Sequence, residues 1–164
     1  MKKDINLWYN ETRGGRMKQD NSIIEKEYLT KEEFLEKNKT LLKQHTMPID
    51  ENTEYISGCL GNKEDVKKAN FPGVYVIIEN NHVIYIGSAL PNGRTIKVRF
   101  SEHLHGHPSH TKIIPYLIET RGISKEEAKR LIRTFEFIAF KYISLEYSLI
   151  NNTPGLINSS GNYK

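Results

Sequence analysis

One cysteine, Cys59, stands among 164 residues. An internal disulfide is therefore excluded, and the chain suits a reducing compartment such as the cytoplasm. No apolar run approaches the ~20 residues that a membrane-spanning helix needs, so no membrane association is expected. The opening MKKDINLWYNETRGG has no apolar h-region and does not read as a secretory signal. An excess of one charge sign is also missing, the formal net charge being only +4. A mild surplus of this kind permits nucleic-acid binding without demanding it.

The placement of the charge says more. Residues 71–164 hold eleven Lys or Arg against seven Asp or Glu, whereas residues 1–70 balance at thirteen against thirteen. At this length, with hydrophobic residues at 37%, a core large enough to fold without staples is expected. Residues 1–20 are polar and carry no sustained period, which predicts a mobile arm. Thr30-Lys-Glu-Glu33 matches a capping box and predicts a helix over about 31–45, with Phe34, Leu35, Leu41 and Leu42 as its apolar side. The stretch from 49 to 70 is acidic and rich in turn residues, with a short helix over Lys63 to Ala69. We read residues 21–70 as an N-terminal helical extension that packs on the sheet, completes a dimer or helps to grip DNA.

The chain is organised around residues 73–104. Gly73 to Glu79 and His82 to Gly87 are dense in Val, Ile and Tyr, and read as a β-hairpin. Beyond it Ile96, Phe100 and Leu104 recur every four residues as the buried stripe of a helix. Arg99 and His103 lie one turn apart on the neighbouring stripe and point the same way. Parity matters in the hairpin, because directly opposed residues share a face. A two-residue loop at Asn80-Asn81 sets Tyr85 against Val76 and sends Tyr75 to the other side. Both tyrosines face one site only with an odd loop or a bulge. A three-residue loop of Glu79, Asn80 and Asn81, with Asn81 in the left-handed region, is the expected solution.

Past that helix, HLHGHPSH sets His103, His105, His107 and His110 close together. The alternation invites zinc, yet no partner cysteine accompanies it, and Gly106 and Pro108 argue for a loop. Residues 111–121 look helical, and Ser124-Lys-Glu-Glu127 opens another capped helix. Lys125, Lys129, Arg130 and Arg133 make that helix basic. Phe135 to Tyr142 alternates as a third strand, and Ser144 caps a short helix with Glu146 in its first turn.

Gly73-Val74-Tyr75 and Tyr85-Ile86-Gly87, followed by an arginine and a histidine on a helix, then Glu146 and Asn158, resemble the GIY-YIG nucleases. The resemblance covers about residues 71–158, with Val74 in place of the usual isoleucine. It implies an α/β (α+β) fold with a three-stranded antiparallel sheet flanked by helices, residues 71–164 forming the nuclease core. It further implies a divalent-metal-dependent endonuclease that hydrolyses phosphodiesters of double-stranded DNA. With six residues after Asn158 the chain looks most like the compact type II restriction enzymes of the family, which suggests a homodimer on DNA. A homing-type or structure-specific nuclease shares the same groups, and a catalytically silent DNA-binding module is the remaining alternative.

In that resemblance Tyr75 is the general base or water-orienting group, Arg99 the phosphate clamp, Glu146 the sole protein ligand of the metal and Asn158 a positioning residue. Tyr85 and His103 hold the water, the phosphate or Tyr75 in place. One carboxylate with water and phosphate oxygens suits Mg²⁺, with Mn²⁺ as substitute. Tyr75, Tyr85, Arg99, His103 and Glu146 are expected to line one concave surface. A phenol with pKa near 10 is a weak base at neutral pH. Either a neighbouring charge favours its phenolate, or His103 takes the proton through it.

Overall fold

A computed structural model describes residues 28–89, 94–107, 111–141, 153, 156 and 157. In chain order, helices α1 (Lys31–Lys37) and α2 (Lys39–His45) precede strand β1 (Ile56–Cys59) and helix α3 (Lys63–Lys67). Strands β2 (Gly73–Glu79) and β3 (His82–Ala89) follow, then helices α4 (Ile96–His105), α5 (Ile113–Arg121) and α6 (Lys125–Ile132), and strand β4 (Glu136–Phe140). The class is mixed α/β. None of the described helices is long and apolar enough to cross a membrane.

Among the described residues the sheet has four antiparallel strands in the order β1-β4-β2-β3, one more than the three expected from sequence. The additional strand, Ile56–Cys59, comes from the stretch read as turn-rich, and it pairs with β4 from Ile56 opposite Ala139 to Cys59 opposite Glu136. It is four residues long and contains Gly58, so it carries little β signal of its own. Its partner is some eighty positions away in the chain, and pairing with β4 makes it a strand.

The capping boxes are both present: Thr30 with Glu33 at α1 and Ser124 with Glu127 at α6. The single helix expected over 31–45 is divided at Asn38, whose side-chain amide donates to the Phe34 carbonyl at 2.9 Å. A side chain that bonds four residues back competes with the regular ladder. Phe34 and Leu42 remain buried on either side of the break.

The two sheet faces bury different helices. Phe34 and Leu42 pack with Val74, Val76, Ile78, Val83, Ile86, Ile138 and Phe140 on one face. The opposite face carries Tyr75, Ile77, Tyr85, Phe137 and Ala139, covered by Ile96 and Phe100 of α4 and by apolar residues of α5 and α6. Of the roles open to the N-terminal helices, packing on the sheet is the one observed. Phe100 is fully buried, and such burial contributes about 1.5–3 kcal/mol.

The hairpin corrects the expected loop. Glu79 pairs with His82 across a two-residue turn, and Asn80 and Asn81 both take positive φ, 48° and 65°. This is the backbone that a two-residue hairpin turn with matching twist requires, and Asn tolerates it. Parity is restored further along by a bulge between the pairs Ile78–Val83 and Ile77–Tyr85, which leaves Ile84 as the extra residue. Tyr85 therefore opposes Ile77, and Tyr75 opposes Gly87. Both tyrosines reach the α4 face through the bulge.

Candidate functional site

Tyr75 and Tyr85 are diagonal neighbours on the pleat, with ring centroids 6.3 Å apart and planes inclined by 22°. Gly87 makes room for this arrangement, because a β-carbon there would collide with the Tyr75 hydroxyl and Cζ. Above them, α4 begins at Thr95, whose side chain accepts the Val98 N–H, and ends at Gly106 in the left-handed region. The helix is held against the sheet by Ile96 and Phe100, and the Phe100 ring meets Tyr75 edge-on at 5.1 Å.

That packing sets His103 directly over both tyrosines. Its ring meets Tyr85 at 5.0 Å and Tyr75 at 5.7 Å, edge-on in both cases. His103 Nε2 lies 2.7 Å from the Tyr75 hydroxyl, and Nδ1 lies 2.8 Å from Thr111 Oγ1. Thr111 also accepts the Ile113 N–H at 3.1 Å, which ties the imidazole to the start of α5. With the proton on Nδ1, Nε2 is free to accept from the phenol; the other neutral tautomer reverses both bonds. Burial, and then the charge of Arg99, push the His103 pKa down to about 3, so the ring is neutral near pH 7. The second-position partner, Thr111, carries no motif, and the sequence reading passed it over.

Arg99 sits one turn before His103, with 19% of its side chain exposed. Burial alone works against its charge. The field of Tyr75, the hydrogen bond to Glu102 and the field of Tyr85 outweigh that and hold the guanidinium more firmly protonated than usual. Arg99 thus lies within the electrostatic reach of both tyrosines. Glu102, three residues on, binds Arg99 through one carboxylate oxygen and Arg94 through the other. The spacing of three between Arg99 and Glu102 is one that brings helix side chains together.

The four groups share one side of the sheet, but they do not line an open wall. Tyr75 and His103 are fully buried and Tyr85 is 5% exposed, which corrects the expected concave surface. The Phe100 and His103 rings of α4 meet the Tyr75 ring edge-on, and Arg99 stands at the boundary with solvent. Glu146 and Asn158 lie outside the described residues. The residue before Asn158, Ile157, donates its N–H to the carbonyl of Ile84, the neighbour of Tyr85 in the bulged strand, at 2.8 Å.

Among the described residues no group of three or more His, Cys, Asp or Glu could hold a metal ion. The carboxylate of α4 is occupied by its two arginines, and His105 and His107 are exposed where His103 is buried. His110 lies outside the described residues. The described groups are a phenol on a neutral imidazole, with a guanidinium and its carboxylate partner on the same helix. Compared with protein-family models, with curated proteins and with solved structures, the chain matches none.

Proposed function

We propose that this protein is a divalent-metal-dependent endonuclease that cuts duplex DNA at a specific site, as its resemblance to GIY-YIG restriction enzymes implies. The observation that carries the reading is the 2.7 Å contact between the Tyr75 hydroxyl and His103 Nε2, with Arg99 one turn away on the same helix. A phenol held by a hydrogen bond, next to a cation, is the minimum needed to orient a water against a bound phosphate.

The electrostatics favour one of the two proton routes. Arg99 opposes an imidazolium at His103, and its attraction to negative charge on Tyr75 favours a phenolate. Moving a proton onto a group of pKa about 3 costs about 5 kcal/mol more than onto an ordinary histidine. Tyr75 accepting the water proton directly, with Arg99 beside it, is the route that the low basicity of His103 favours. His103 then serves to hold the phenolic oxygen in place. Mg²⁺ or Mn²⁺, held by Glu146, would supply charge on the phosphate and a more acidic water. Chemistry at Tyr75 requires the groups around its hydroxyl to part on binding DNA, so Arg99 meets the phosphate first.

The test is digestion of plasmid DNA by the purified protein in Mg²⁺, with the ends mapped, alongside a four-way junction of unrelated sequence. Discrete ends on linear duplex are expected. Cleavage of the junction alone would make the protein a structure-specific nuclease. The absence of Mg²⁺-dependent cutting on either substrate, with duplex binding retained, would leave a DNA-binding module.

A further inference from the structure

The clamp arginine is not waiting in water. Glu102 is one helical turn beyond it, and its carboxylate spans Arg99 and Arg94 with one oxygen to each. A carboxylate presents to a guanidinium the same pair of anionic oxygens that a phosphodiester does. Arg94 reaches in from the loop before α4 and is 45% exposed, whereas Arg99 and Glu102 are 19% and 16% exposed. The ion pair therefore lies at the rim of the buried tyrosine cluster.

It also lies on a groove. Lys97, Val98, Ser101, Glu102, His105 and His107 line a groove of about 380 Å³ along the outer side of α4. Its walls offer a lysine, a hydroxyl and two imidazoles, with Glu102 as the acidic group among the six. Two arginines and one glutamate leave a local charge of +1, so the cluster still attracts an anion, yet Glu102 holds the place at Arg99 that the anion would take.

We propose that Glu102 is an internal stand-in for phosphate: in the free protein it occupies Arg99, and a backbone phosphate entering along the α4 groove displaces it onto Arg94 alone. This rests on the reading of Arg99 as the phosphate clamp. It assigns Glu102 as a positioning residue that restrains the site until an anion of the right geometry arrives. Duplex DNA then engages Arg99 by exchange of one anion for another, which lowers the affinity for stray phosphate while leaving the guanidinium aimed at the tyrosines.

The experiment measures anion binding apart from cleavage. Glu102→Gln keeps the size of the side chain, removes its charge and leaves one acceptor oxygen where the carboxylate has two. Inorganic phosphate, titrated without metal, is expected to bind Glu102→Gln roughly tenfold more tightly than wild type. A short duplex in Ca²⁺ should show a salt dependence steeper by about one counterion. Adding Arg99→Gln to Glu102→Gln should remove both gains. Unchanged or weaker phosphate binding by Glu102→Gln would overturn the proposal, because a carboxylate that merely orients Arg99 loses affinity when neutralised. Should the variant fold poorly, the wild type suffices: its Glu102 carboxyl carbon resonance must move as phosphate saturates, and a stationary resonance overturns the assignment. Tighter phosphate binding in a protein that cuts no DNA upholds the exchange and leaves the endonuclease reading to fail alone.

Discussion

The hydroxyl of Tyr75, on the second strand, and Nε2 of His103, on the helix that covers it, meet at 2.7 Å in a fully buried pocket. Removing the hydroxyl strands the imidazole nitrogen. Tyr75→Phe is expected to lose about 1–3 kcal/mol of stability, the usual penalty for a buried polar atom left unpaired. On the proposed mechanism it also slows cleavage by about 10² to 10⁴. Denaturant melts and single-turnover rates separate the two effects, and a Tyr75→Phe protein that cuts at the wild-type rate would make Tyr75 a packing residue.

His103 gives the fold a pH dependence. Its folded pKa, about 3, lies below the ordinary histidine value near 6.5. Between those values the unfolded chain binds a proton that the folded chain does not. The stability is therefore full above pH 6.5 and falls, by about 1.4 kcal/mol per pH unit from this group, as the pH drops toward 3. His103→Gln should flatten that slope by one proton. Identical slopes for both proteins between pH 6 and 4 would show that the ring is not buried neutral.

Gly87 is required by the tyrosine opposite it. A methyl group at 87 would collide with the Tyr75 hydroxyl and Cζ, so Gly87→Ala must push the ring away from His103 or bend the strand. A cost of about 1–3 kcal/mol is expected for such overpacking. Thermal melting, together with loss of cleavage as severe as that of Tyr75→Phe, checks this. A variant with unaltered melting would mean that the tyrosine sits elsewhere.

Lysine at 99 keeps the charge and loses the planar fork. Arg99→Lys should bind duplex close to normally in Ca²⁺ and remain severely impaired in single-turnover cleavage. Recovery of the rate by lysine would reduce the role of Arg99 to charge alone.

Far from the tyrosines, Arg121 grips Glu79 with two bonds of 2.5 and 2.6 Å where α5 meets the end of β2. Both side chains are largely buried. Losing one partner leaves an uncompensated charge, so Glu79→Gln is expected to cost about 3 kcal/mol. In a chain of this length that is about 10 °C in melting temperature. A shift of under 2 °C in calorimetry would show that solvent already screens the pair.

The elements legible from sequence are those whose causes are local. Each capping box is satisfied within four residues, and Ile96 and Phe100 declare the buried side of α4 by spacing alone. Ile56–Cys59 escaped because its ladder partner is the distant strand β4. The position of the bulge escaped for a similar reason: nothing in His82–Ala89 marks Ile84, and the register follows from fitting Tyr85 and Gly87 under α4. In the site, the helical spacing set Arg99 and His103 one turn apart, whereas the burial of His103 depends on the start of α5, which brings Thr111 to its far side. The Glu102 bridge required Arg94, from a loop whose course no periodicity reveals.

The sheet order has a consequence for the growing chain. The strand that carries Tyr75 lies between β3, its immediate successor, and β4, which is made some sixty residues later. Until Glu136–Phe140 emerges, one rim of the tyrosine strand exposes unpaired amides and carbonyls, a template for association with other nascent chains. Such distant pairing is also slow to form. The tyrosine platform is thus completed near the end of synthesis, and a chain stalled short of residue 136 holds its hairpin without the strand that would close it.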